Sequence, residues 1–316
     1  MIIEDPVVVR GLRKCYGSAN AVHGLDLDIH AGEVFCLLGP NGAGKTTTVE
    51  ILEGLRSRSD GDVRVLGRDP AEHRRDWRAR VGVVPQTTGA FADLTVREVV
   101  AQFAAFYPAP LPADEVIDMV GLTPARKKRT VALSGGQRRR LDVAVGIVGD
   151  PDLIFLDEPT TGLDPEARRE AWEVVRFFSR RGKTTVLTTH YLEEAEVLAD
   201  RVGVIVNGRM VETGPPAEIG GRSDTPARVC FSSSGPLAGR PLPGFPPDTT
   251  IEHGRDGEVS LGTKTPTAVM DALLSWSRAA GVTELPELRI YRPTLEEIYL
   301  NLIHRHSQDR MEASTP

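Results

Sequence analysis

The chain has 316 residues, 40% hydrophobic and 26% charged. At roughly 150 residues per domain that is material for about two domains, and the composition excludes a wholly disordered or collagen-like chain. Lys plus Arg number 38 against 44 Asp plus Glu, a net charge of −6, which argues against a general nucleic-acid binder.

Residues 1–220 read as an alternating α/β domain. Val34 to Leu38 runs into Gly39, Val81 to Val84 into Pro85-Gln86, Leu153 to Leu156 into Asp157-Glu158, and Thr184 to Thr189 into His190. Continuous apolar or β-branched runs of this length predict strands buried on both faces. Helical spacing follows Thr46 (Val49, Ile51, Leu52, Leu55) and recurs over 140–148 and 191–198. Val202 to Val206, Asn207-Gly208 and Met210 to Glu212 predict a hairpin with a tight turn. Residues 87–107 should pack mostly inside a helical subdomain spanning about 87–145, leaving apolar groups near Gly89 to Leu94 exposed. A boundary is expected near 220, then a small α+β domain over 221–305 with a Pro-rich loop at 233–248. Its strands are expected at 228–232, 258–262 and 288–291, with a helix over 267–280. Thr294-Leu295-Glu296-Glu297 has capping-box spacing for a last helix, and 306–316 reads as a disordered tail.

Ligands of doubly wound sheets sit beyond the carboxyl ends of the strands. Four predicted strands deliver polar groups there: the loop from Gly39, then Gln86, Asp157 with Glu158, and His190. Gly39-Pro40-Asn41-Gly42-Ala43-Gly44-Lys45-Thr46 satisfies GxxxxGK[ST] between a strand and a helix. Its glycines let backbone N–H groups curve around phosphates. Lys45 is expected on the β- and γ-phosphates and Thr46 on Mg²⁺, with Thr47 completing the nucleotide loop. Asp157 is the expected second Mg²⁺ ligand, and Glu158 orients or deprotonates the attacking water. Leu133-Ser134-Gly135-Gly136-Gln137 precedes an apolar helix, whose free N–H groups face a second phosphate. A chain with one P-loop and two phosphate-binding helix ends contacts one ATP twice only if two copies pair head to tail.

These motifs, in the order GPNGAGKT, Pro85-Gln86, LSGGQ, LIFLDEP, Gly162-Leu163-Asp164 and Thr188-Thr189-His190, resemble the ATP-binding subunit of an ABC transporter over about 220 residues. The resemblance implies a P-loop NTPase fold that hydrolyses ATP. It places Gln86 at Mg²⁺ and the membrane-domain contact, Asp164 across the dimer, His190 on the γ-phosphate, and Tyr16, 23 residues before Gly39, stacked on adenine. QRRRLDVA, EPTTGLDP, YLEEAE and the terminal PTLEEIYLNLI are similar to the daunorubicin-resistance branch. That branch implies a homodimer driving export of drugs, antibiotics or other hydrophobic compounds. The membrane-spanning partner is a separate permease chain, because no apolar run here approaches ~20 residues. The expected location is therefore peripheral, at the cytoplasmic face of the membrane. The N-terminus shows no secretory signal. The three cysteines, Cys15, Cys36 and Cys230, lack a CxxC pair and fit a reducing compartment.

The alternative is a soluble ABC ATPase acting on ribosomes or DNA. Against it stand the acidic charge and the 112 residues between Lys45 and Asp157, too few for a coiled-coil insertion. Arg138-Arg139-Arg140 is expected on a solvated helix face or in local ion pairs rather than on nucleic acid, and Glu193, Glu194 and Glu196 on a solvated helix face. Gly146, inside the helix after LSGGQ, costs ~1 kcal/mol against Ala unless close packing requires it.

Overall fold

The computed structural model describes all residues except 1–4, 86–90, 92, 223, 255–256, 293, 301 and 304–316. The expectations for Gln86, for residues 87–90 and for the 306–316 tail therefore lie outside the described residues. The chain divides into two units, Met1–Pro216 and Ala217–Pro316.

In the first unit β1 (Val7–Tyr16) and β2 (Ala19–Ile29) form an antiparallel pair. The P-loop strand β3 (Val34–Leu38) leads into α1 (Lys45–Leu52). Then come β4 (Asp60–Val65), the single turn α2 (Arg75–Arg78) and β5 (Val81–Val84). Three helices follow: α3 (Val96–Ala104), α4 (Ala113–Met119) and α5 (Gly135–Ile147). The unit closes with β6 (Leu153–Asp157), α6 (Pro165–Arg180), β7 (Thr184–Thr188), α7 (Leu192–Leu198), β8 (Arg201–Val206) and β9 (Arg209–Gly214).

The larger sheet has the order β5-β6-β7-β3-β8-β9, with every pairing parallel except β8 with β9. All residues of β3 and β7 are buried, as apolar runs in central parallel strands must be. The crossing order brings the carboxyl ends of β5, β6, β7 and β3 side by side. A smaller antiparallel sheet, β2-β1-β4, shares one core with α1 and the central strands. Val9 and Leu27, Val49 and Leu52, and Phe35 and Phe155 all belong to that core. Trp77 closes it, donating its indole N–H to the Val65 carbonyl at 2.8 Å.

Helices α3 to α5 make the helical part. Thr95 and Glu98 form a capping box at α3, whose Val96, Val99 and Val100 are fully buried. Phe91 is half-buried, edge-on to Phe103 at 5.5 Å, and Phe103 is edge-on to Phe106 at 6.0 Å. The strongly exposed aromatic is thus Phe106, at 66%, rather than Phe91. Gly146 is required: a Cβ there would collide with Val84, and one on Gly82 would collide with the Gly146 carbonyl, so α5 lies directly on β5.

The second unit is a four-stranded antiparallel sheet of order β11-β12-β10-β13, built from β10 (Ala227–Ser232), β11 (Thr250–His253), β12 (Glu258–Thr263) and β13 (Arg289–Tyr291). Helix α8 (Pro266–Ala279) supplies Val269 and Leu273 to its core. The Pro-rich stretch is a loop, but not a loose one. Leu237 is fully buried, Leu242 and Phe245 pack on the same core, and the Trp276 indole donates to the Pro241 carbonyl at 2.9 Å. A helix over 295–300 starts at Thr294, whose hydroxyl accepts the Glu297 N–H while Glu297 accepts the Thr294 N–H, both at 3.2 Å.

Candidate functional site

The phosphate-loop sequence folds as it does because neighbouring backbone leaves room for nothing larger. A Cβ on Gly39 would collide with Ile205 of β8. Gly44 is the N-cap of α1 at φ 103°, left-handed backbone, and a Cβ there would sit 2.5 Å from the Ala21 carbonyl of β2. The β8–β9 turn braces the loop from the side: Asn207 and Gly208 are both left-handed, φ 51° and 76°, as a two-residue hairpin turn demands. Gly208 donates its N–H to the Ala43 carbonyl at 2.8 Å and accepts the His23 N–H at 2.7 Å.

Lys45 is buried and its ammonium donates to the carbonyls of Gly39 (2.6 Å) and Pro40 (3.2 Å). Burial lowers its pKa, opposed by the charges of Glu158 and Asp157. Thr46 is exposed at the start of α1. Asp157 ends β6 directly opposite Thr188 of β7, whose hydroxyl donates to its carboxylate. Glu158 has left-handed backbone, φ 46°, a strained conformation for a side chain of this size. It is held by its N–H on the Thr188 carbonyl at 3.0 Å and by the Thr161 hydroxyl on its carboxylate at 2.9 Å. His190 Nδ1 lies 3.3 Å from the other Glu158 oxygen. Lys45, Asp157, Glu158 and His190 thus converge at one sheet edge.

The other predicted residues sit apart from that group. Ser134 is the N-cap of α5, and Ser134 and Gln137 form a reciprocal capping box, each accepting the other's N–H at 3.2 Å. The signature motif is therefore itself a helix start. Ser134 and Gly135 are exposed, and Gly136 lies against Ala167, where an added Cβ would be 3.2 Å from that residue's Cβ. Asp164 caps α6, accepting the N–H groups of Glu166 (3.0 Å) and Ala167 (2.9 Å) ahead of Pro165. Tyr16 is 43% exposed at the end of β1, with Lys14 and Arg56 over its ring at 5.1 and 5.4 Å.

Two expectations are corrected. Arg139 is not on a solvated face, although the local ion pairs are present, Arg139 with Asp142 at 3.9 Å and Arg140 with Glu170 at 3.1 Å. Arg139 is 7% exposed and donates to the carbonyls of Pro85 (2.5 Å), Asp157 (2.7 Å) and Pro159 (3.0 Å). One guanidinium therefore joins the helix behind Ser134 to the ends of β5 and β6, satisfying buried carbonyls with the fork geometry only Arg has. Glu194 is fully buried as well, whereas Glu193 and Glu196 are exposed. Spacing held a signal for both: Arg139 and Glu194 fall on the same helical faces as the buried Val143 and Leu198 respectively.

The ABC transporter family pattern matches residues 22–161. The chain is 37% identical to a daunorubicin resistance ATP-binding protein of Streptomyces coeruleorubidus, covering 95% of this chain and 96% of that one. It is 32% identical to a linearmycin resistance ATP-binding protein of Bacillus subtilis, covering 94% and 98%. Among solved structures, the ATP-binding subunit of an ABC transporter matches at 26% identity with a TM-score of 0.61, covering 67% of this chain and 91% of that one. The fold is that of a P-loop ATPase. The chain belongs to the ABC transporter family, as an ATP-binding subunit that hydrolyses ATP and works with membrane permease components.

Glu53, which ends α1, makes the site's surroundings pH-sensitive. Burial, with the charges of Asp157 and Glu50, pushes its carboxyl from an ordinary 4.5 up to about 8. The folded chain then keeps a proton that the unfolded chain releases, so stability falls as pH rises from 4.5 to about 8. Glu53→Gln, without nucleotide or metal, is expected to melt at least about 3 °C above the natural chain at pH 8.5, the gap shrinking on acidification toward pH 4.5. A gap independent of pH in thermal scans would contradict this protonation state.

Proposed function

We propose that this chain is the motor of an exporter: two copies close head to tail on two ATP molecules and drive a separate permease that expels a drug, antibiotic or other hydrophobic compound. The observation that carries the reading is the convergence of Lys45, Asp157, Glu158 and His190 on one sheet edge. The N–H groups from Gly39 to Thr47 cradle the phosphates, and Lys45 places a charge on the transferring one. Glu158 takes the proton of the attacking water, and His190 orients Glu158 and the γ-phosphate. Tyr16 stacks on adenine. Gln86, named from the sequence alone, completes the metal and partner contact.

Among the described residues no group of three or more His, Cys, Asp or Glu could hold a metal by itself. The Thr46 hydroxyl and the Asp157 carboxylate are a short set of hard oxygens, which fits Mg²⁺ held partly by substrate phosphates. When bound, Mg²⁺ supplies positive charge at the β,γ-phosphate oxygens. The exposed Ser134-Gly135-Gly136 turn faces the partner copy's γ-phosphate, with Asp164 on the same interface. A solved relative supports pairing: a dimeric ATP-binding cassette in a post-hydrolysis state bound to ADP and Pi, 25% identical with a TM-score of 0.58, covering 66% of this chain and 98% of that one.

The export reading draws on the drug-resistance relatives and on a Nod factor export ATP-binding protein of Ralstonia nicotianae, 43% identical over 67% of each chain. Among the described residues no helix is long and apolar enough to cross a membrane. In the export reading the chain works from the cytoplasmic face, gripping the permease. A groove of about 700 Å³ between α2 and the end of α3, lined by Arg75, Arg78, Phe106 and Tyr107, suits a cytoplasmic segment of that partner. Phe106→Asp is expected to leave the melting temperature and ATP affinity of the isolated chain unchanged. Permease-stimulated hydrolysis should fall at least tenfold, because the exposed ring that the partner would cover is lost and its replacement carboxylate is drawn to Arg75 and Arg78 instead. Normal stimulation and export by this variant would move the docking site elsewhere.

A further inference from the structure

Glu194 stands on the first turn of α7, fully buried, yet carries a charge-bearing group that no step above uses. One carboxylate oxygen accepts the Trp172 indole N–H at 3.2 Å and the other accepts the Thr160 hydroxyl at 3.3 Å. The Thr189 hydroxyl is a third donor. Thr189 is itself fixed, because its oxygen accepts the Tyr191 N–H at 3.0 Å. Arg168 of α6 lies 4.3 Å over the Tyr191 ring.

The positions of these donors matter more than their number. Thr160 is two residues beyond Glu158, Thr189 immediately precedes His190, and Trp172 belongs to α6, the helix that Asp164 caps. One carboxylate therefore holds the three segments that carry Glu158, His190 and Asp164. Packing alone does not call for a carboxylate here: an apolar side chain of the same volume would avoid the desolvation of a buried acid. Burial pushes the Glu194 carboxyl above its ordinary value, and the three donors oppose that rise without reversing it. The two carboxyl oxygens offer enough acceptor sites for all three donors without turning any of them round.

We propose that Glu194 is a positioning residue for ATP hydrolysis, acting through Thr160 and Thr189 to hold Glu158 and His190 at their 3.3 Å contact while α6 carries the same geometry to Asp164. The proposal rests on the reading that Glu158 and His190 act on the nucleotide. Glu194→Gln keeps the shape but replaces one acceptor oxygen with an N–H₂, which either opposes the donor-only Trp172 indole or obliges a Thr hydroxyl to turn round. In the full-length chain it should lower kcat at least tenfold while KM for ATP stays within about threefold.

The decisive measurement is a cycle of Glu194→Gln, Thr189→Val and the double variant, with melting temperature and ATP affinity followed in parallel. A shared positioning role predicts that the double variant is within about twofold of the slower single variant. Multiplying losses, or a Glu194→Gln chain with natural kcat, would overturn the proposal. If Glu194→Gln melts below the assay temperature, Trp172→Phe and Thr189→Val each remove one donor and carry the same cycle with the same two outcomes. A Lys45→Ala chain run beside them separates the two failures. Normal hydrolysis by Lys45→Ala sinks the site reading itself, whereas an inactive Lys45→Ala beside a fully active Glu194→Gln sinks only the role of Glu194.

Discussion

Glu158→Gln is expected to bind ATP with the affinity of the natural chain and to hydrolyse it at least 100-fold more slowly. The residue sits at the one point where β6 turns into left-handed backbone, and its carboxylate is aimed by the Thr161 hydroxyl and by His190. Glutamine is nearly isosteric, so those contacts can reform, and Lys45 and the glycine loop are untouched. What disappears is the base, and a well-placed general base contributes ~10²–10⁴ in rate. With binding intact and hydrolysis slowed, ATP should accumulate bound. On size-exclusion chromatography the variant should shift from monomer to dimer with ATP and Mg²⁺, and return after ATP is withdrawn. Hydrolysis within threefold of natural would show that the water is activated by another group. A monomer at saturating ATP, with the permease present, would remove the head-to-tail pair.

Lys45→Ala is expected to abolish hydrolysis and to weaken ATP binding by two orders of magnitude or more, read by equilibrium titration. The ammonium is buried where desolvation already lowers its pKa, so its charge is maintained at a cost. In a site shielded from water a fixed charge on a transferring phosphate is worth several kcal/mol, about 10²–10³ in rate for one donor. The fold should survive, because α1 is anchored by Val49, Ile51 and Leu52 rather than by Lys45. A folded variant with natural turnover would move the nucleotide away from the Gly39–Thr47 loop.

How much of this could be read without coordinates varies with the kind of interaction involved. The strands ending at Gly39, Asp157 and His190 were readable because a parallel strand buried on both faces is a continuous apolar run. The glycine loop and the signature were readable because phosphate-binding backbone restricts residue type at fixed spacing. β1, β2 and β4 left a weaker trace: their burial alternates and β1 carries register shifts, so no run stands out. Arg139 and Glu194 were read as solvated because charge is the strongest local cue, and their partners lie in segments distant in sequence. Arg139 answers a carbonyl 54 residues away, and Glu194 a hydroxyl 34 residues away. Phe106 escaped for a related reason, since an aromatic ladder does not announce which of its rings faces water.

The brace between Gly208 and Ala43 reaches beyond the site it steadies. Residues 207 and 208 are the tip of a two-residue hairpin, a kind of turn commonly chosen for an inserted tag, a fluorescent fusion or a permuted terminus, but only Asn207 is exposed and Gly208 is buried. Here that choice would be a poor one. An insertion at this tip would withdraw the Gly208 N–H from Ala43 and the Gly208 carbonyl from His23, slackening the Gly39–Thr46 loop from outside it. Reporter groups for this chain belong away from the β8–β9 tip.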